Sequence, residues 1–361
     1  MNSQWMILNG VSYSLSDIRH VNFIKADTFE NSPLHFCRDW LNGKKEFVLN
    51  TSGSTGAPKK ISVTREQLKA SAQLTASYLN LKREYISLVC LDTRYIAGIM
   101  MLVRSLETGM NMYVVEPTAN PFEKIPKDAV IDFVALVPYQ LEAILQSEHK
   151  SRLNSLKLVI IGGAAVSDKL RKSLAEFDCS FYSTYGMTET LSHIALQKLN
   201  GADAENFFQV LPGISVRTDD RGCLIVQASY INSAPVITND LVEMLAADKF
   251  RWLGRVDNVI NSGGVKVIPE KIESIIEPMM TALGLSNRFI IGGLPDAALG
   301  QTVALILEGE KLSSGQEKNL RQRLKESLSR YEIPKSIHYV PEFIQTDTGK
   351  INKPKTLELI R

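Results

Sequence analysis

Short apolar runs alternate with longer amphipathic stretches along most of the chain, and that alternation predicts strands and helices in turn. Phe47-Val48-Leu49 reads as a strand entering the loop 51–60. Thr64 then begins T-x-x-Q, a capping box closed by Gln67, and opens a helix carrying Leu68, Ala72, Leu74 and Leu79. Residues 87–91 are strand-like, and 96–106 form a buried helix that Gly109 stops. Strands follow over 112–115 and 133–137, with Pro138 suited to the first turn of the next helix. Residues 156–161 make another apolar strand, ending at Gly162-Gly163 before a helix from about Asp168. This order implies a mainly parallel sheet covered by helices on both faces.

The pattern changes after Gly254. A helix from Pro269, strands near Phe289 and over 303–307, and a helix over 316–328 form a separate α+β set. The expected fold class is therefore α/β. A large N-terminal domain, 1–254, has mainly parallel sheets covered by helices, and a small C-terminal α+β domain spans 255–361, with the junction at 255–259.

Composition narrows the function classes. Hydrophobic residues are 44% and charged residues 22% of the 361, with a net charge of +2, so no strong field points toward nucleic acid or an anionic membrane. The four cysteines, Cys37, Cys90, Cys179 and Cys223, form no C-x-x-C pair, which argues against a zinc site or a disulfide framework. The start MNSQWMILNG lacks a basic segment followed by an apolar run, and no stretch approaches the roughly 18 apolar residues of a membrane span. A cytoplasmic location and small-molecule partners are expected; oligomeric state stays open.

Candidate chemistry begins with Thr51-Ser52-Gly53-Ser54-Thr55-Gly56-Ala57-Pro58-Lys59-Lys60. Glycines let successive N–H groups converge on an anion, hydroxyls add donors, and the lysines add charge. A flexible linker has similar composition, but seldom lies between an apolar strand and a capped helix. The Walker A pattern fails because Pro58 stands where glycine is required, and the G-x-G-x-x-G fingerprint is absent.

This loop resembles the signature of the adenylate-forming enzymes: acyl-CoA synthetases, peptide-synthetase adenylation domains and luciferases. Further motifs follow in the same order. Tyr185-Gly186-Met187-Thr188-Glu189 is similar to the family's Y-G-x-T-E, although YGMTE alone reads as an ordinary strand-to-helix turn. Gly162-Gly163-Ala164 matches the turn lining the adenine pocket, and Asp240 stands at the ribose-binding aspartate, in T-N-D where the family usually has T-G-D. Gly254-Arg255-Val256-Asp257-Asn258 resembles G-R-x-D-D; Gly263-Gly264-Val265-Lys266 continues the block, and Thr348-Gly349-Lys350-Ile351 resembles the terminal lysine motif.

The resemblance covers 46–361 and implies ATP, Mg²⁺ and coenzyme A as co-substrates and cofactor. By it, residues Thr51 to Gly56 with Lys59 bind phosphate, Gly163 and Ala164 line the adenine pocket, Tyr185 stacks on adenine, Gly186 belongs to the ATP site, and Thr188 contacts phosphate. Glu189 holds Mg²⁺, Asp240 and Arg255 bind ribose, Asp257 is the interdomain hinge, and Lys350 bridges the carboxylate and the α-phosphate. Gly263, Gly264 and Lys266 are assigned to coenzyme A. The resemblance also has a departure: only 50 residues precede the phosphate loop, fewer than in most of the family.

Arg94-Tyr95-Ile96-Ala97-Gly98 occupies the mouth of the family's acyl pocket, and His193, on the helix or turn after Glu189, borders the same region. An arginine there could receive a second substrate carboxylate, or could cap a helix; His193 could equally satisfy a core hydrogen bond. The length, the run TETLSHIAL and Leu211-Pro212-Gly213 look most like the o-succinylbenzoate–CoA ligases of menaquinone biosynthesis. The alternatives are another acyl- or aryl-CoA ligase and a stand-alone adenylation enzyme loading a separate carrier protein.

Overall fold

The computed structural model describes residues 4–21, 28–50, 60–231, 234–345 and 351–360. It divides into two compact units: 1–166, 173–216 and 226–236 in the first, and 167–172, 217–225 and 237–361 in the second. The hairpin Val236–Ala246/Lys249–Arg255 is thus grouped, from residue 237 on, with the C-terminal part of the chain.

Parallel pairing organises the first unit. Its sheet runs in the order Trp5–Leu8, Asn111–Val114, Ile86–Val89, Phe133–Leu136, Leu158–Ile161, Ser180–Gly186, each neighbour parallel to the next. Val11–Ser14 closes one edge, and His193–Lys198 and then Phe208–Val210 continue from the other, all antiparallel. Strands Phe133–Leu136 and Leu158–Ile161 are buried at every position, which is why they read as unbroken apolar runs instead of alternating ones.

Local signals placed the helices. Thr64 and Gln67 close the capping box of Arg65–Tyr78, Gly109 ends Ile96–Thr108 in the left-handed conformation, and Pro138 opens Pro138–Leu145. The strand expected at 47–49 spans Glu46–Asn50 and pairs antiparallel with Lys60–Thr64, a strand absent from the sequence reading. The loop 51–59 therefore joins two strands, not a strand and a helix; its own residues lie outside the described part of the chain.

In the second unit Gly300–Glu308 pairs antiparallel with Phe289–Asp296 and parallel with Ser336–Val340. One core joins these strands to the helices Pro269–Ala282 and Ser314–Ser327 through Ile272, Ile276, Val303, Leu305, Leu320 and Leu324. A second core, built on Ile290, Ala304 and Ile306, takes Ile351 and Leu357 from the C-terminal end. Among the described residues no helix is long and apolar enough to cross a membrane.

Candidate active site

The carboxyl end of the parallel strands is where an open α/β sheet presents a ligand crevice. Leu158–Ile161 ends there in Gly162-Gly163-Ala164, with Gly163 at φ 84° and both Gly163 and Ala164 exposed. A side chain at Gly162 would collide with the Thr184 hydroxyl of the neighbouring strand, so glycine lets the turn lie against it. Tyr185, near the end of that strand, is buried, its ring tilted 57° on Phe208 at 5.8 Å.

YGMTE leads from one strand into another. Ser180–Gly186 passes through a 3₁₀ turn, Thr188–Thr190, and reverses into His193–Lys198. Thr190 ties the reversal: its Oγ1 accepts from Met187 N at 2.9 Å and donates to Met187 O or Ser192 O, at 3.0 and 2.7 Å. Gly186 faces the backbone of Ser192 and His193 so closely that any Cβ would clash. The turn buries Thr188 and exposes Glu189. His193 consequently belongs to a strand, which corrects its placement on a helix or turn.

Among the described residues no cluster of three or more His, Cys, Asp or Glu is arranged to hold a metal. A lone exposed carboxylate such as Glu189 fits Mg²⁺ that arrives with nucleotide phosphates and keeps most of its oxygens from phosphate and water.

Arg94, expected at the mouth of the acyl pocket, is engaged with a carboxylate of the chain itself. Its side chain is 71% exposed and its guanidinium grips Asp92, two residues back, with Nε 3.0 Å from both carboxylate oxygens and Nη2 2.7 Å from Oδ2. Tyr95 precedes the helix as its N-cap residue, and the turn 91–94 runs so close to Gly98 that a Cβ there would meet the carbonyls of Leu91 and Asp92.

Among the described residues the buried arginine is Arg104, two turns further along the same helix and 2% exposed. Its Nη2 donates to Ser192 Oγ at 2.6 Å and lies 3.5 Å from His193 Nδ1, while its Nε has no hydrogen-bond partner among the described residues. No carboxylate of the described residues pairs with it, and burial pushes its pKa down to about 9. The sequence reading missed it, although an arginine inside the run IMMLVRSL was visible as a charge in an apolar helix.

His193 is buried, and its Nε2 lies 2.9 Å from Thr75 Oγ1. Burial, and then Arg104, hold its pKa well below 6.5. The unfolded chain therefore takes up a proton near 6.5 that the folded chain refuses, so stability is lost as pH falls below that value. This window lies above the carboxylate range. His193→Gln is expected to flatten the decline of the unfolding free energy, taken from urea titrations, between about pH 7 and about pH 5, by up to about 1.4 kcal/mol per pH unit. Equal slopes in the two proteins would show that His193 is not the titrating group.

The second unit brings together Asp240, Arg255 and Asp257. Asp240 and Arg255 face each other across the hairpin, with Arg255 Nη1 3.8 Å from Asp240 Oδ1 and Nη2 2.8 Å from Asp257 Oδ2. Trp252 Nε1 also donates to Asp240. Asn239, the residue that departs from the T-G-D pattern, donates from Nδ2 to both Asp257 oxygens at 3.1 and 3.2 Å, and receives Arg221 on its own oxygen. Arg255 foremost, and Asn239, hold the Asp257 carboxyl below its ordinary pKa. Gly263 and Gly264, at φ 57° and 82°, form the two-residue turn between Ile260–Ser262 and Val265–Val267, with Lys266 exposed beside it. Thr51, Ser52, Gly53, Ser54, Thr55, Gly56, Lys59 and Lys350 lie outside the described residues.

Comparison with known proteins bears on this geometry. The AMP-binding enzyme family matches residues 46–222. A solved Dyadobacter fermentans protein, described as acyl-CoA synthetase (AMP-forming)/AMP-acid ligase II-like, is 41% identical with a TM-score of 0.64; the match covers 96% of this chain and 98% of that one. A 2-succinylbenzoate–CoA ligase of Lactococcus lactis subsp. lactis is 27% identical over 92% of this chain and 75% of its own length. The o-succinylbenzoate CoA synthetase of Bacillus subtilis, solved with its acyl-adenylate, is 20% identical with a TM-score of 0.72, covering 85% of this chain and 68% of that one, which supports the fold.

Proposed function

The chain belongs to the AMP-binding enzymes as an AMP-forming acid–CoA ligase, and from that premise we propose that its acid is an aromatic dicarboxylate, 2-succinylbenzoate. The observation that carries this choice is Arg104. A buried guanidinium without an acidic partner is costly, and the cost is offset when the ligand itself brings the carboxylate. The likeness to 2-succinylbenzoate–CoA ligases points the same way, since that acid keeps a second carboxylate after the first is activated.

The reaction divides into two steps. One carboxylate oxygen attacks the α-phosphorus of ATP, and pyrophosphate leaves. The sulfur of coenzyme A then attacks the acyl carbonyl, and AMP leaves with the oxygen it received. Both steps ask for positioning and charge stabilisation more than for proton transfer. Bound Mg²⁺ would neutralise phosphate charge, with Glu189 as a ligand. Thr51 to Gly56 with Lys59 cradle phosphate, and Thr188 adds a donor. Gly163, Ala164, Tyr185 and Gly186 receive adenine, Asp240 and Arg255 receive ribose, and Gly263, Gly264 and Lys266 serve coenzyme A. Pyrophosphate exchange should be fastest with 2-succinylbenzoate; benzoate or octanoate exchanging as well would sink the choice of acid.

Residues 255–361 act as a mobile domain that turns about Asp257 between the two steps. Asp257→Pro fixes φ and should keep pyrophosphate exchange within a few fold while lowering thioester output at least about tenfold. Undiminished thioester output would place the hinge elsewhere.

A further inference from the structure

We propose that Thr75 and His193 are positioning residues that aim Arg104 at the acid, through a fixed tautomer of the imidazole. The hydrogen positions follow from the chemistry of the three side chains. A guanidinium can only donate, so the His193 Nδ1 atom 3.5 Å from Arg104 Nη2 must offer a lone pair. In a neutral ring the proton then sits on Nε2, and Thr75 Oγ1, 2.9 Å away, accepts it. The single hydroxyl hydrogen of Thr75 is left for Ser71 O at 3.2 Å, one turn back along the helix Arg65–Tyr78. Each atom in the series Ser71 O, Thr75 Oγ1, His193 ring, Arg104 Nη2 has one role, and reversing any member would set two donors against each other.

Thr75 is fully buried, and His193 and Arg104 are 6% and 2% exposed, so water does not readily substitute for a missing member. Burial and the neighbouring guanidinium both keep the ring neutral, which preserves its lone pair. Ser192 Oγ supplies the second fixed point for the same Nη2. Nη2 is therefore held on the side of the strand that begins at His193, and Nε, buried and without a partner among the described residues, is the donor that the proposal assigns to the acid. The inference deepens the diacid reading and rests on it for the ligand, but the tautomer can be established without any substrate.

Two measurements decide it. Long-range ¹H–¹⁵N spectra of histidine-labelled protein, with the His193 signals assigned by their loss in His193→Gln, should show protonated Nε2 and bare Nδ1 from about pH 6 to about pH 8. A protonated Nδ1, or an imidazolium, overturns the proposal. Thr75→Val removes the acceptor at nearly constant shape, and the KM for 2-succinylbenzoate should rise about tenfold, as for one lost hydrogen bond to a charge-bearing network. The KM for ATP and the weak turnover of octanoate should stay within about twofold, and Thr75→Ser should restore diacid binding. A Thr75→Val enzyme unchanged toward the diacid, or weakened equally toward diacid, octanoate and ATP, would refute a positioning role even if the tautomer is as described. A parent enzyme that ignores the diacid would instead remove the substrate reading, and with it the role in acid binding, while the spectrum still reports the tautomer.

Discussion

Replacing Lys350 by alanine is expected to lower pyrophosphate exchange by about a hundred- to a thousandfold, the scale of one lost electrostatic donor in the transition state. Thioester formation from supplied acyl-adenylate should fall by less than about tenfold. The asymmetry follows from charge. During adenylation two anions converge, and a compact ammonium bridging the carboxylate and the α-phosphate lowers their repulsion. In the second step a thiol attacks an already activated carbonyl, and that bridge has no comparable task. The chain flanking Lys350 is anchored independently of it. Ile351 bridges to Gln345, Asn352 N donates to Ile344 O at 2.7 Å, and Lys353 Nζ lies 2.8 Å from Glu273 Oε1 and 3.4 Å from Glu270 Oε1. Truncation should therefore leave the fold intact, and thermal melting of the variant should match the parent. Equal losses in both half-reactions would refute the role given to Lys350.

Arg104→Met should separate stability from activity. Methionine fills a similar volume and removes the cost of burying a lone cation, but it leaves Ser192 Oγ and His193 Nδ1 without their donor, a loss of about 1–3 kcal/mol that opposes the gain. The melting temperature should therefore stay close to that of the parent. The same change removes the group proposed to receive the second carboxylate, so kcat/KM for 2-succinylbenzoate should fall about a hundredfold. Octanoate and benzoate, which make no such contact, should be turned over as before, narrowing the gap between diacid and monoacid. A variant that is less stable and loses all acids equally would mean that Arg104 serves the core. Arg94→Ala should leave the gap unchanged, because Arg94 is exposed and paired with Asp92.

The difference between Arg94 and Arg104 also marks how far the sequence could be read. Features set by residues a few positions apart were legible: the Thr64–Gln67 box, the Gly109 stop and the Pro138 start each depend on one turn of backbone. The Asp92–Arg94 pair was equally local and could have been anticipated from its two-residue spacing. Lys60–Thr64 escaped because K-I-S-V-T is short, and its pairing with Glu46–Asn50 is what makes it a strand. His193 was misplaced because Thr190 turns the chain by bonding backward and forward within the six residues from Met187 to Ser192, which apolar periodicity does not record. The order of motifs gave the candidate residues. Arg104, Ser192, His193 and Thr75 became a group only when the fold closed separations of 88 and 118 positions.

The most direct test uses 2-succinylbenzoate labelled with ¹⁸O in its carboxylates, incubated with the purified chain, ATP, Mg²⁺ and coenzyme A, and analysed by mass spectrometry. Attack of the carboxylate on the α-phosphorus requires the coenzyme A thioester of the diacid to appear together with AMP carrying one ¹⁸O atom. Unlabelled AMP, release of ADP, or a thioester formed from octanoate but not from the diacid would contradict the proposed reaction.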